Sequence, residues 1–177
     1  GPLVGAKTTS YADNLAVLEQ VRQKGADEAL VCDTQGRICE ATTANVILGV
    51  KGQLVTPTLK TGCLGGVTRS LLIEWGIVQE QDVAFADLGW AAEMLLSSST
   101  RNLIPVARCD DHVYPSPGPL GADAIREFTV RAAQNLDPCL GSRQVCRHSK
   151  SGVRSAIDGA PSRAMAISNS VKSISIT

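Results

Sequence analysis

The sequence predicts one domain of the α+β or mixed α/β class, built from β-hairpins with interspersed helices. Short apolar runs, which are typical of buried strands, occur in pairs separated by turn residues. Between them lie stretches with apolar residues at helical spacing. The composition is 44% hydrophobic and only 3% aromatic, so the core must be mostly aliphatic. Because hairpins interrupt the helices, we expect a mixed sheet with flanking helices rather than a doubly wound parallel sheet.

The first third of the chain predicts a helix and two hairpins. Apolar residues at helical spacing mark the helix, and a glycine ends it. Turn residues between two apolar runs mark each hairpin. The predicted elements are a helix from about Tyr11 to Lys24, strands at 29–32 and 38–40, and strands at 46–50 and 53–57.

The middle of the chain predicts alternating helices and strands. A Gly-rich turn at 62–69 opens a helix that ends at Gly76, and a Pro-rich loop at 115–119 precedes a closing amphipathic helix. Between these lie, in order, a strand at 77–83, a short helix at 87–92, strands at 93–96 and 103–107, and a turn at 110–112; the closing helix covers 122–134.

The character of the chain changes after Pro138. Nine of the last 39 residues are serine, and the apolar residues lose their periodicity. This composition is typical of disorder. We therefore expect residues 1–138 to form the domain and 139–177 to be a basic, Ser-rich tail that is disordered or foreign to it.

Charge excludes some partners. The net charge is zero, but residues 139–177 carry six basic residues and one acidic residue, whereas residues 1–138 are acidic. A basic tail can indicate nucleic-acid binding, but this one has no interleaved aromatic residues, so we expect no nucleic-acid partner. No apolar run reaches the length of a membrane span, and we expect no membrane partner.

The cysteines and histidines predict no metal site. None of the six cysteines lies in a C-x-x-C pair, and the two histidines are far apart. Zinc ligands need closer spacing than this. Because no secretory signal is visible, we expect free thiols and a cytoplasmic protein.

The Gly-rich turn, Gly62-Cys63-Leu64-Gly65-Gly66-Val67-Thr68-Arg69, is a candidate phosphate site. Glycines allow the backbone to approach a ligand closely, and the helix that follows presents unpaired N–H groups. Together these features favour binding of a phosphate. A plain alternative is a loop whose Thr68 or Ser70 caps the helix.

Three other features accompany this turn. Lys7 precedes the first helix, Glu40 ends a strand five residues before Asn45, and the hydroxyl run Ser97–Thr100 precedes a strand. Each has an ordinary interpretation: a solvated lysine, an edge-strand carboxylate, a turn amide and a polar loop.

Taken together in this order, the features resemble the class IV aminotransferases, the fold-type-IV group of pyridoxal-phosphate enzymes. The family pattern has a lysine opening a helix, an E-x-x-x-x-N segment, a G-x-L-x-T-P hairpin, an L-x-G-[IV]-T-R turn, and a hydroxyl-rich segment ending in P-V. This sequence matches it with Lys7, Glu40 to Asn45, 52–57, 64–69 and 97–106. Five ordered matches make the resemblance specific.

The resemblance implies a role for each matching residue with pyridoxal 5′-phosphate as the cofactor. Lys7 would be the Schiff-base lysine that also moves a proton at the substrate α-carbon, and Glu40 would pair with the pyridine nitrogen. The other implied contacts are the phosphate site at Val67, Thr68 and Ser99, packing of Leu64 on the cofactor ring, and Thr100 near the substrate carboxylate.

The resemblance also implies a small-molecule amino substrate and a homodimeric parent protein. It leaves two reactions open: transamination of an amino acid, or elimination of pyruvate from 4-amino-4-deoxychorismate to give 4-aminobenzoate for folate synthesis. The segment 1–11 resembles the lyase and D-amino-acid branch more than the branched-chain enzymes. We expect residues 1–138 to be the C-terminal, cofactor-binding domain, without the family's smaller N-terminal domain. A catalytically incompetent fragment that retains only the fold is the alternative.

Overall fold

In the computed structural model, which describes residues 12–134 and 172–176, three helices flank one curled, mixed sheet of nine strands. The predicted α+β class is confirmed. The helices are α1 (Ala12–Arg22), α2 (Val67–Glu74) and α3 (Pro119–Gln134). The strands are β1 (Glu28–Cys32), β2 (Ile38–Ala41), β3 (Asn45–Val50), β4 (Gln53–Thr56), β5 (Gln79–Glu80), β6 (Glu93–Ser98), β7 (Asn102–Cys109), β8 (His112–Val113) and β9 (Lys172–Ile176). None of the described helices has the length and apolar character needed to cross a membrane.

The strand order is β2-β1-β9-β7-β6-β3-β4-β5, and β8 adds to β7. Every pair in this order is antiparallel except β4 with β5. Both predicted hairpins, β1 with β2 and β3 with β4, are confirmed. In the second one Lys51 and Gly52 both have positive φ, which matches the twist of the flanking strands.

Two apolar clusters pack on the sheet. One lies among β1, β2, β3, β6, β7 and β9, and includes Leu30, Val46 and Ile174, all fully buried. The other lies between β3, β6 and the helices α2 and α3, and includes Ile47, Leu72 and Phe128. Because β3 and β6 alternate side chains between both clusters, their backbone is fixed on both faces. The candidate site lies where β3 begins and β6 ends.

Several predicted elements are shorter or shifted in the structure. The strand predicted at 77–83 is reduced to Gln79–Glu80, the helix predicted at 87–92 is a 3₁₀ helix at Phe85–Trp90, and His112, predicted in a turn, begins β8. The closing helix begins at Pro119, three residues before the predicted start. Buried Glu93 explains this shift, because its carboxylate accepts the N–H groups of Leu120 and Gly121 in the first turn of α3.

The prediction that no ordered structure follows Pro138 is wrong for Lys172–Ile176. These residues form β9, which inserts between β1 and β7. Ile174 is fully buried in the first apolar cluster, and the Asp110 carboxylate accepts bonds from Lys172 and from the N–H of Ser173. The alternation of serine and isoleucine is the strand pattern that the serine content obscured. The rest of the predicted tail, 139–171, lies outside the described residues.

Candidate functional site

Three turns enclose a cavity of about 280 Å³ at one edge of the sheet. They are the β2–β3 turn, the Gly-rich turn before α2, and the turn after β6. The lining residues are Glu40, Thr43, Ala44, Asn45, Leu64, Gly65, Gly66, Val67, Thr68, Ser97, Ser98 and Ser99. The sequence features that were predicted to act together, apart from Lys7, therefore meet in one place.

Glu40 is a buried carboxylate at the base of this cavity. Its side chain lies at the end of β2 and is only 6% exposed. Its Oε2 accepts the Leu64 N–H at 3.0 Å, and the Asn45 amide lies at 3.5 Å. Burial raises the pKa of Glu40 from 4.5 to about 7, although the bond from Leu64 opposes the shift. No cationic side chain in the described part of the chain pairs with it, so Glu40 is suited to a cationic ligand group.

Asn45 joins Glu40 to the Gly-rich turn. Its Nδ2 donates to the Leu64 carbonyl at 2.8 Å, so it does not simply bond its own turn as the plain interpretation has it. A Cβ added to Gly66 would lie 2.3 Å from Asn45 Oδ1, so the Asn45 side chain would have to move to admit it. Gly66 therefore allows the turn to lie directly against Asn45.

The start of α2 faces the cavity with free donors. Gly66 is the N-cap residue and offers no side-chain acceptor, so the predicted caps, Thr68 and Ser70, do not cap this helix. The N–H groups of Val67 and Thr68 lie in the first turn, where a helix has no internal acceptor for them. Val67 is 69% exposed and Thr68 is buried. This helix end is suited to an anion.

The end of β6 and the turn after it supply hydroxyl groups. Ser97, Ser98 and Ser99 line the same cavity as the start of α2. Ser97 is 1% exposed, and its hydroxyl has no hydrogen-bond partner among the described residues. A buried hydroxyl without a partner is costly and rare, so its position beside the cavity indicates a place for a ligand.

The predicted site residues separate into three groups. Glu40, Leu64, Val67, Thr68 and Ser99 all line the cavity. Thr100, predicted near the substrate carboxylate, does not line it. Lys7, the predicted Schiff-base residue, lies outside the described residues.

The hydroxyl of Thr100 lies 3.3 Å from that of Ser98, and the Thr100 side chain is exposed at the end of the turn. Thr100 thus follows Ser99, the last lining residue of this turn, and does not itself line the cavity.

The sequence predicts no individual cofactor contact for the other seven lining residues: Thr43, Ala44, Asn45, Gly65, Gly66, Ser97 and Ser98. The signal for Ser97 was available, because an alternating strand that ends in a hydroxyl run places one hydroxyl on the inner face. No such signal was available for Gly66, because its close contact with Asn45 joins two turns that are separate in the sequence.

Arg69, the last residue of the Gly-rich turn, holds α2 in place rather than lining the cavity. It is 3% exposed, and its guanidinium donates to the Pro57 carbonyl at 2.7 Å and to Glu80 at 2.5 Å. These bonds attach the first turn of α2 to the end of β4 and to β5.

Within 12–134 and 172–176, no cluster of three His, Cys, Asp or Glu side chains could hold a metal ion. The four cysteines in these ranges are buried free thiols. Burial raises the pKa of Cys39, the neighbour of Glu40, to about 12. Cys39 is therefore a neutral packing residue rather than a nucleophile.

Comparison with known proteins agrees with this geometry. The profile of the amino-transferase class IV family matches residues 1–109. A probable branched-chain-amino-acid aminotransferase from Synechocystis sp. is 28% identical over 142 residues, which cover 77% of this chain and 46% of the relative.

Two solved structures show the same fold. One is a putative 4-amino-4-deoxychorismate lyase from Legionella pneumophila, with 26% identity, a TM-score of 0.69 and coverage of 76% of this chain and 51% of the other. The other is the PLP-bound form of a hypothetical aminotransferase from Mycobacterium tuberculosis, with 25% identity, a TM-score of 0.67 and coverage of 75% and 48%. The chain spans less than half the length of the curated relatives that it matches.

Proposed function

The chain belongs to the class IV aminotransferase family, and from that premise we propose that it is the cofactor-binding part of a pyridoxal-phosphate enzyme acting on an amino compound. Members of this family are enzymes that use pyridoxal 5′-phosphate. The observation that carries the proposal is the single cavity that joins the buried Glu40 carboxyl, the free start of α2 and the hydroxyl turn.

The cavity fits the cofactor on three grounds. Its volume of about 280 Å³ is near the lower end for small-molecule sites. The unpartnered Ser97 hydroxyl and the uncapped start of α2 supply donors to the cavity. The carboxyl of Glu40, which has no cationic partner among the described residues, lines the same cavity. A ligand that carries both an anionic group and a basic ring nitrogen matches this set of groups.

Each wall of the cavity would hold one part of the cofactor. The backbone N–H groups of Val67 and Thr68, with the hydroxyls of Thr68 and Ser99, would bind the phosphate. Leu64 would pack against the ring, because it is half-buried in the wall between these donors and Glu40.

Glu40 would hold a proton on the pyridine nitrogen. When the cofactor is bound, its protonated ring supplies an electron sink for the carbanion that develops at the substrate α-carbon. A carboxylate hydrogen-bonded to that N–H keeps the ring protonated, and the positive charge would lower the raised pKa of Glu40 in return. The Leu64 N–H bond fixes which carboxylate oxygen remains free for this contact.

Lys7 and Thr100 complete the proposed site. By its match to the family lysine, Lys7 would hold the cofactor covalently and then move the proton at the α-carbon, which requires a neutral amine. By its match to the family, the exposed Thr100 next to the lining residue Ser99 would contact the substrate carboxylate.

Covalent labelling tests the proposal directly. The chain is incubated with pyridoxal 5′-phosphate, reduced with borohydride, digested and mapped by mass spectrometry. We expect one dominant label at Lys7, and little label in Lys7→Ala. A label spread over surface lysines in both proteins would contradict a cofactor site.

Two reactions remain within the proposal: transamination of an amino acid and elimination of pyruvate from 4-amino-4-deoxychorismate. Because both use the same lysine and glutamate, product analysis has to separate them. The protein is supplied with 4-amino-4-deoxychorismate and no oxo-acid acceptor. Release of pyruvate supports the lyase, and its absence together with keto-acid-dependent turnover supports the aminotransferase.

A catalytically incompetent fragment is the second candidate. It is favoured by the length of the chain, which is less than half that of its curated relatives. A folded chain that binds no cofactor at millimolar concentration would support it.

The homodimeric state and cytoplasmic location of the parent protein belong to the same proposal. Light scattering of the full-length product and fractionation of cells expressing it would test them. A monomeric enzyme with full activity would contradict the dimer.

A further inference from the structure

A second buried carboxylate, Glu28, lies behind the cavity wall and collects donors from two of the three turns. It is the first residue of β1 and is 2% exposed. Its oxygens accept the hydroxyls of Thr42 and Thr43 and the Thr43 N–H at 3.1 Å. The Arg101 guanidinium completes the set with an ion pair at 2.6 Å.

Arg101 reaches across from the turn after β6. Its Nη2 donates to Glu28 and also to the Thr43 hydroxyl, each at 2.6 Å. Its backbone N–H donates to the Ser98 hydroxyl at 3.3 Å within its own turn. One side chain thus joins the β2–β3 turn to the hydroxyl turn.

This contact matters because the sheet does not join the two turns. The ladder between β3 and β6 ends at the pair formed by Asn45 and Ser97. Beyond that pair, the turn residues 42–44 and 99–101 lie at the same edge of the sheet, and no ladder pair joins the two turns. Thr43 and Ser99 from these two turns line the cavity, whereas Arg101 does not.

We infer that Arg101 is a positioning residue that clamps the two turns through Glu28 and Thr43, and so sets the distance between the Glu40 wall and the hydroxyl wall of the cavity. This inference rests on the proposed function, because the spacing would govern how one ligand contacts both walls. A simpler role for Arg101 would be to neutralise the charge of Glu28. The test must separate that role from the positioning of the two turns.

The test compares Arg101→Met, Arg101→Lys and the double variant Glu28→Gln/Arg101→Met in the full chain. Binding of pyridoxal 5′-phosphate is followed by absorbance titration. We expect Arg101→Met and the double variant to raise the dissociation constant at least about tenfold, and Arg101→Lys to recover most of the loss. Arg126→Met, which removes an exposed ion pair with Asp123 on α3, is the matched control and should bind like the parent chain.

The double variant separates the two roles. It removes the buried charge of Glu28 together with the Arg101 guanidinium. If Arg101 only neutralised Glu28, this variant would bind pyridoxal 5′-phosphate as tightly as the unsubstituted chain. That result, with both proteins folded, would overturn the inference. Thr43→Val, which removes one contact of the clamp and no charge, is the milder variant if the others do not fold, and it should weaken binding in the same direction.

Hydrogen exchange provides a second readout that does not need the cofactor. We expect residues 41–45 and 98–102 to exchange faster together in the variants, while the β3–β4 hairpin keeps its protection. Unchanged exchange in both turns would also overturn the inference. The two proposals can also fail separately. If the unsubstituted chain binds no cofactor, the proposed function is contradicted. If both turns nevertheless exchange faster in Arg101→Met, the clamp remains supported.

Discussion

Glu28 and Glu40 are buried to almost the same degree, 2% and 6% exposed, yet their surroundings are opposite. Glu28 is surrounded by donors and has an arginine partner at 2.6 Å. Glu40 has one good bond, from the Leu64 N–H, and a long contact to Asn45. Both belong to strands of the same hairpin, since Glu28 begins β1 and Glu40 lies near the end of β2. The difference therefore arises from the side chains and N–H groups that the neighbouring turns place around each carboxylate.

The contrast separates a carboxylate that stabilises the fold from one that is available for a ligand. A buried charge is tolerated when it is paired and hydrogen-bonded, which describes Glu28. A buried carboxyl with few partners beside a cavity, and with a pKa raised to about 7, is a functional-site candidate. Burial alone would not have distinguished them.

The largest expected effect is the loss of stability when Glu28 loses its charge partner Arg101. Arg101→Met should lower the free energy of unfolding by about 4 kcal/mol, because it leaves a carboxylate without a charge partner in a site that is 2% exposed. Urea denaturation at pH 7 measures it. Arg126→Met, whose ion pair is exposed, should change little. Equal effects of the two variants would contradict the importance of the buried pair.

The next largest effect is the pH dependence of stability that arises from the raised pKa of Glu40. Because folding raises the pKa of Glu40 from 4.5 to about 7, the folded chain holds this proton more tightly than the unfolded chain. The resulting stability is fully present below pH 4.5 and is lost as the pH rises through 7, a difference of about 3 kcal/mol. Denaturation midpoints across this range, without cofactor, should fall more steeply for the parent chain than for Glu40→Gln. Parallel curves would show that Glu40 does not titrate in this window.

An intermediate effect is expected at the contact between the Glu40 region and the Gly-rich turn. Gly66→Ala should cost about 2 kcal/mol and weaken cofactor binding, since its Cβ would lie 2.3 Å from Asn45 Oδ1. Gly65→Ala is the matched control, because its nearest contact is an ordinary 3.8 Å to Leu59. If both variants behave alike in denaturation and titration, the close approach at Gly66 is not what holds the turn.

The smallest effect compares two buried hydroxyls. Ser97→Ala should leave the apo chain unchanged or more stable by up to about 1 kcal/mol, because it removes an unpartnered hydroxyl, while it weakens cofactor binding. Thr42→Val should instead destabilise the chain, because the Thr42 hydroxyl donates to Glu28. Thermal unfolding with and without pyridoxal 5′-phosphate measures both. Loss of stability in Ser97→Ala would mean that its hydroxyl has a partner.

The local elements of the fold were largely readable from the sequence. Both hairpins of 29–57, the helix after the Gly-rich turn and the closing helix follow from apolar spacing and turn residues, which act over a few positions. The prediction was wrong for β9, because a strand of alternating serine and isoleucine is stabilised by β1 and β7 rather than by its own composition.

The candidate site likewise has features that the sequence predicted and features that only the structure revealed. The order of its motifs determined the family and named Glu40, the start of α2 and the hydroxyl run, since each chemical group occupies a short segment. Only the tertiary structure decided that Asn45 faces Gly66, that the Ser97 hydroxyl lacks a partner and that Arg101 reaches Glu28. These relations depend on how separate turns meet at one sheet edge, and sequence spacing carries no information about that distance.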